Sequence, residues 1–306
     1  MKRILICGSN GLLGQRLALT LGYQTEYEVL NTSHHRSFVL DHKLFDYTQL
    51  DITHKSDVKS LVSSFQPHVI LNAAAVTNVD WCETNREQAW QTNVIAVENL
   101  AEASRKVAAT VVHVSTDYVF DGKHGPYDEL ALPHPISYYG KTKLAGENIL
   151  RGAEIPHAIV RTIVVYGSGI DVKSNFALWV WQSLSAGKAI RCVDDQISNP
   201  THVSDLALAM VKIFEREKVG LFHVCGSERV SRYEFAGRIA GEFGFDASLI
   251  KKIKSNELEQ PAPRPLSTGF ITLKAETELG MKFMGTREGI RAMKADLTRE
   301  EKEHRA

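Results

Sequence analysis

Short apolar runs alternate with longer stretches of helical periodicity through the first half of the chain. Residues 2–7, 27–32, 69–73, 110–115 and 157–161 have strand length, are rich in Ile, Val and Leu, and are bounded by turn residues. Segments near 11–21, 54–65, 86–106 and 137–152 instead space their apolar residues three and four apart, as a helix with one buried face requires. Pro67 stops the second of these helices just before VILNAAA. The alternation predicts an α/β fold, a doubly wound parallel sheet with helices on both faces. LFHVCG, residues 221–226, reads as one more strand of that sheet. Residues 166–200 and 226–306 are richer in loops, prolines and glycines. They predict a smaller, discontinuous C-terminal substrate-binding lobe at the strand ends, where such sheets bind ligands. Residues 1–165 and 201–225 are left as the dinucleotide-binding domain. The final ADLTREEKEHRA reads as a charged helix or frayed tail, solvated and without assigned function.

The first strand runs into a glycine-rich turn, KRILICGSNGLLGQRLA. Gly8 suits a tight turn, Gly11 the close approach of a pyrophosphate, and Gly14 close packing of helix on sheet. Asn10 and Leu12 lie in the same turn, where free N–H groups and the positive end of the helix dipole favour phosphates. The turn makes the sheet a Rossmann dinucleotide site. The second strand ends in Ser33, His34, His35 and Arg36, without the carboxylate that would repel a 2′-phosphate. Ser33 and Arg36 therefore favour NADPH, with NADH as the alternative; a solvated polar loop fits the same residues equally. Asp51-Ile52 follows the third strand, where Asp51 either accepts the adenine amino group or caps a helix beginning near Thr53. Ala73, Ala74 and Ala75 let a ribose and nicotinamide lie close to the backbone. Asn93 interrupts an apolar helical stripe and needs hydrogen-bond partners. It either positions a water beside Lys143 or serves the structure alone.

Composition narrows the partners. The 306 residues carry 36 Lys and Arg against 36 Asp and Glu. Balanced charge without a basic, aromatic-interleaved stretch argues against nucleic acid and anionic membranes as partners. MKRILICGSNG has no long apolar core and reads as a strand rather than a signal peptide, and no run approaches a membrane span. Cys7, Cys82, Cys192 and Cys225 are scattered, as expected for reduced, buried thiols of a cytoplasmic protein. The histidines form no ligand spacing, so no metal site is read.

The chemistry lies in VHVSTDYVFDG and SYYGKTKLAGE. Tyr139 and Lys143 are four apart and share a helix face. An ammonium beside a phenol favours phenolate and lowers its pKa from about 10, by roughly 1–3 units for a close charge. Such a tyrosine exchanges protons with a sugar oxygen near neutral pH. Thr116, at a strand end, would hold the same oxygen with a neutral hydroxyl.

GSNGLLG, NAAAVTNVD, STDYVFDG, YGKTKLAGE, RTIVVYG and DDQISNPTHVSDLA stand in the order and spacing of the extended short-chain dehydrogenases/reductases. Nearly the whole chain resembles the rhamnose-forming sugar-nucleotide reductases of that family. The resemblance implies a catalytic set of Thr116, Tyr139 and Lys143, with Tyr139 protonating the alkoxide formed at C4 of a 4-keto-6-deoxy sugar nucleotide. Lys143 and Tyr139 would also contact the cofactor ribose. Asp117, Tyr118, Val164, Asn175, Phe176 and Gln196 would shape the sugar pocket, with Tyr118 on the same side of an extended segment as Thr116. Arg264 would neutralise the substrate diphosphate. Related 4,6-dehydratases carry an acidic Asp-Glu pair where this chain has Asp117-Tyr118, so reduction fits better than elimination; a 4-epimerase is less firmly excluded. Val164 stands where many of these reductases have tryptophan, which leaves the sugar's identity open. The resemblance also allows a homodimer and a non-catalytic alternative, since the regulatory subunit of methionine adenosyltransferase belongs to related proteins.

Overall fold

Seven parallel strands form the central sheet of the computed structural model, which describes residues 1–41 and 44–303. They are β1 (Lys2–Cys7), β2 (Tyr27–Ser33), β3 (Asp46–Gln49), β4 (Val69–Asn72), β5 (Thr110–Thr116), β6 (His157–Thr162) and β7 (Gly220–Val224). The order across the sheet is β7-β6-β5-β4-β1-β2-β3, and every neighbouring pair is parallel. Chain order reverses between β1 and β4, the switch point at which such sheets take ligands.

The helices are α1 (Leu12–Leu21), α2 (Lys55–Phe65), α3 (Val79–Thr84), α4 (Arg86–Trp90), α5 (Ala96–Val107), α6 (Tyr138–Gly152), α7 (Phe176–Ser185), α8 (Val203–Glu215), α9 (Arg232–Phe243), α10 (Leu273–Leu279) and α11 (Thr286–Glu303). Side chains of β1 alternate between two cores, as a strand's period of two demands. Ile4 and Ile6 pack with Leu17 of α1 and Leu206 and Met210 of α8. Leu5 and Cys7 pack with Val58 and Val62 of α2, Leu100 of α5 and Leu150 of α6. Each such buried aliphatic side chain contributes about 1.5–3 kcal/mol. A third core joins Tyr166, Leu178 of α7, Phe235 and Ile239 of α9, and Ile290 and Met293 of α11. Three short strand pairs frame it: 165–166 with 201–202, 197–198 with 230–231, and 190–193 with 250–253.

The expected strands and helices are present, and the departures have local causes. The helix expected over 86–106 is broken by a π turn at Gln91–Ile95. There Asn93 receives the Val76 N–H and donates to the Val76 carbonyl, both at 3.0 Å, so the widened turn directs its amide onto the backbone of a neighbouring loop. Helix α2 starts at Lys55 because the Asp51 carboxylate accepts the N–H and hydroxyl of Thr53, an Asx turn ahead of the helix. Of the C-terminal stretch, residues 295–303 form the charged helix of the two expected forms, its first turn packed rather than solvated, and 304–306 lie outside the described residues. Helix α11 buries Leu297, pairs Asp296 with Arg16, and takes the Ser168 hydroxyl on Glu300 at 2.9 Å. Helix α10, inside the stretch assigned to the lobe, buries Ala275 and Leu279 in the α1/α8 core. All four cysteines are free and buried. Among the described residues no helix is long and apolar enough to cross a membrane.

Candidate active site

The glycine turn joins β1 to α1 at the switch point. Gly8 has φ +84°, and a Cβ there would lie 2.8 Å from the Ala74 backbone. A Cβ on Gly14 would sit 2.2 Å from the Gly8 carbonyl oxygen, so only glycine lets α1 dock on the turn. Gly11 caps α1 with no side-chain cap bond among the described residues, which leaves the first helical N–H groups for an acceptor. Ser9 Oγ, in the same turn, is buried with no partner among the described residues. Small partly exposed Ala73, Ala74 and Ala75 follow β4. This cradle fits a dinucleotide pyrophosphate.

Not every expected contact faces that cradle. Asn10 donates to the Ser37 carbonyl and accepts from Val39, which ties the turn to the next loop. Leu12 opens α1. Ser33 is buried, with its hydroxyl engaged by Tyr47 (2.9 Å) and the His35 N–H (3.2 Å). Arg36 is exposed, without an ion pair among the described residues. Of the two residues read for a 2′-phosphate, Arg36 is therefore the one at liberty. Asp51 does not cap α2; its Oδ1 takes both Thr53 bonds described above. Ile52 buries its side chain in the α2 core. Asn93 Nδ2 also donates to Thr142 of α6 at 3.0 Å, so its amide joins α6 to the Val76 loop.

Thr116 ends β5, and the expected extended segment beyond it is instead a 3-10 turn at Asp117–Val119. The cause is Thr116 itself, whose hydroxyl accepts the Tyr118 N–H at 3.2 Å. Opposite, Ser137 caps α6 by accepting the Gly140 N–H. A Cβ on Gly140 would meet the Tyr118 carbonyl at 2.1 Å, so glycine lets α6 press onto the turn. Tyr139 is thereby brought to Thr116, and the rings of Tyr118 and Tyr139 meet edge to face at 5.5 Å. Burial raises the Tyr139 pKa well above the usual phenol range, against the lowering influence of the Thr116 hydroxyl. Asp117, Tyr118 and Cys82 raise it further; Lys143 is not among its main influences. The expected lysine tuning of Tyr139 is thus not a feature of the protein alone.

Lys143 is 2 % exposed and faces β5 instead. Its Nζ lies 3.4 Å from His113 Nε2, and His113 Nδ1 lies 3.0 Å from Asn72 Nδ2. Burial pushes the Lys143 pKa down to about 8, partly opposed by Glu147. Glu147, one turn further along α6, accepts two bonds from the buried Arg161 (2.8 and 2.7 Å) and one from Ser115 (2.6 Å). Burial works to raise its pKa, but the Arg161 bonds and charge hold it below the usual carboxylate value.

The expected substrate residues gather on the far side. Asp117 accepts the hydroxyls of Thr116 (3.2 Å) and Thr268 (2.7 Å), and burial raises its pKa. Val164 has φ +43°, a strained conformation for a β-branched residue, and packs against Val119, Phe120 and Ile163. Asn175 caps α7 and donates to the Gly167 carbonyl. Phe176 stacks on Phe235 with ring centres 5.9 Å apart. Gln196 donates to Ser255. Arg264, expected to meet a diphosphate, is instead paired with Asp80 at 2.6 Å and bonded to the Ala262 carbonyl. The pairing follows from the loop's path, since Asp80 also accepts the Ala262 N–H.

His113, Asn72, Glu147, Arg161 and Arg232 were not singled out from the sequence. His113 and Glu147 do stand inside the two motifs, but nothing in their spacing shows that β5 and α6 place them together. Arg232 carries no sequence signal beyond a cation after a capping serine.

Glycine turn and Tyr139–Lys143 helix meet at one end of a single parallel sheet, the arrangement that defines the extended short-chain dehydrogenases/reductases. Residues 1–299 match the RmlD substrate binding domain family. The chain is 37 % identical over 263 residues to dTDP-4-dehydrorhamnose reductase of Aggregatibacter actinomycetemcomitans, covering 84 % of this chain and 82 % of that one. It is also 33 % identical to methionine adenosyltransferase 2 subunit beta of Xenopus laevis, over 90 % of this chain and 82 % of the relative. A crystal structure of dTDP-4-dehydrorhamnose reductase from Bacillus anthracis in complex with NADP superposes with a TM-score of 0.86 at 32 % identity, covering 97 % of this chain and all of that one. The protein belongs to the RmlD substrate binding domain family.

Proposed function

We propose that the protein reduces the C4 keto group of dTDP-4-dehydro-L-rhamnose to give dTDP-L-rhamnose, with NADPH as preferred reductant. The reading is carried by one observation: α6 sets Tyr139 against Thr116 at the end of β5, with Lys143 of the same helix buried beside His113 of that strand. Bound reduced nicotinamide would supply the hydride to C4. Residues 166–200 and 226–306 would hold the sugar nucleotide over Thr116. The Thr116 hydroxyl, which donates to Asp117 in the protein alone, would turn to donate to the oxygen that gains charge and lower the barrier to its formation. Tyr139 would give its proton to that oxygen; burial raises its pKa in the protein alone, so a charge brought in with the cofactor would have to lower it for fast transfer near neutral pH. Lys143 would hold the ribose and return a proton to Tyr139. Its own pKa near 8 leaves it able to give or take one close to neutrality.

A second reading, a non-catalytic cofactor-binding subunit, draws on the likeness to the methionine adenosyltransferase subunit. The retained Thr116, Tyr139 and Lys143 favour catalysis, because binding alone has no use for a buried acid. The test follows NADPH and NADH absorbance with dTDP-4-dehydro-6-deoxy-L-mannose generated in situ. Oxidation yielding dTDP-L-rhamnose is expected, faster with NADPH. Tyr139→Phe should bind NADPH normally and lose roughly 10²- to 10⁴-fold in turnover. No oxidation by a protein that binds NADPH would leave the subunit reading standing.

A further inference from the structure

The two guanidinium groups bordering the Tyr118 side of the site are not equivalent. Both act on the Tyr118 phenol by charge. Arg264 is committed, with one Nη on Asp80 and the other on the Ala262 carbonyl. Arg232, at the start of α9, is held differently. Its backbone N–H donates to the Gln196 carbonyl at 3.1 Å, and its guanidinium lies over the Phe176 ring, 4.9 Å from the centroid. The stack fixes the planar fork without using its N–H groups. Nη1 is buried with no hydrogen-bond partner, and no carboxylate pairs with the group among the described residues. The nearest acid acting on it, Asp117, already accepts the hydroxyls of Thr116 and Thr268.

A buried cation with an unmade bond costs stability, and that cost is offset only when an anion completes it. We propose that Arg232 is the anion-binding residue of the substrate pocket and takes the diphosphate of the nucleotide sugar, while Arg264 braces the loop through Asp80. The assignment rests on the sugar-nucleotide reading above. It agrees with position: Arg232 acts by charge on Asp117 and Tyr118, the residues that follow Thr116, so its fork borders the place proposed for the sugar. Bidentate recognition of phosphate is the chemistry a stacked, otherwise unused guanidinium serves best.

The test titrates dTDP calorimetrically into the NADPH-loaded protein and its variants. Arg232→Gln should bind dTDP roughly ten- to a hundredfold more weakly, with KM for the sugar nucleotide rising by a similar factor and kcat changing less. Arg264→Gln should lose less affinity. Arg232→Lys keeps the charge without the fork and should fall between wild type and Gln. Unchanged dTDP affinity in Arg232→Gln with normal NADPH binding would overturn the assignment. Should the Gln variant fail to fold, unchanged affinity in Arg232→Lys would overturn it equally. No dTDP binding by a wild type that binds NADPH would instead sink the sugar-nucleotide reading underneath.

Discussion

His113 Nε2 lies 3.4 Å from Lys143 Nζ, and the hydrogen bonds behind the ring dictate which of them donates. The Ala74 N–H donates to Asn72 Oδ1 at 3.1 Å, which turns Asn72 Nδ2 toward His113 Nδ1. Nδ1 is then the acceptor, so the ring proton sits on Nε2 and points at Lys143. A neutral amine accepts that proton, whereas an ammonium does not. Burial lowers the Lys143 pKa to about 8, partly opposed by the Glu147 charge. Lys143 in turn depresses the already buried His113, keeping the imidazole neutral.

Lys143 titrates at about 8 in the folded protein against 10.5 unfolded, so between those values the unfolded chain binds the extra proton. Its contribution to stability therefore rises with pH from about 8 upward. Buried thiols act oppositely above their ordinary value near 9, Cys7 being raised to about 12. The comparison must thus be differential. Relative to Lys143→Met, the cofactor-free wild type should gain thermal stability between about pH 8 and 9, and identical profiles would mean that Lys143 titrates normally.

Glu147→Gln removes the carboxylate that pairs with Arg161, 1 % exposed, and with the half-exposed Arg151. Removing one partner of a buried pair strands the other charge and should cost about 3–5 kcal/mol in urea denaturation. Replacing both residues with apolar ones of similar volume should recover much of that loss. If the single variant loses under about 1 kcal/mol, water reaches Arg161 after all.

With Ser33 engaged by Tyr47, discrimination of the 2′-phosphate falls to Arg36. Arg36→Ala should weaken NADPH binding by about tenfold and leave NADH nearly unchanged. Fluorescence titration with each nucleotide reads this directly. Equal losses for both would assign Arg36 to something other than the 2′-phosphate.

Gly14→Ala sets a methyl group against the Gly8 carbonyl and the Ser9 Cα, at 2.2 and 2.5 Å, both of them backbone. The helix must shift, at a cost of about 1–3 kcal/mol. NADPH affinity should fall with it, because the same shift moves the N–H groups of α1. Calorimetry that finds affinity intact would separate packing from phosphate binding.

The sequence by itself determined the parallel sheet, its glycine turn and the pairing of Tyr139 with Lys143 on α6. These depend on local rules: alternation of apolar runs, glycine where a Cβ cannot fit, and four-residue spacing on a helix. It did not determine whom the charged groups meet. Lys143 turning to His113, Arg264 to Asp80, and Arg232 being left unpaired over Phe176 are decided by elements far apart in the chain. The same holds for the π turn at Asn93, whose amide meets both backbone groups of Val76, 17 residues away. Spacing along a chain fixes which neighbours a side chain shares a face with. Only packing of one element on another fixes burial and partners, and those set charge, proton position and the chemistry that follows.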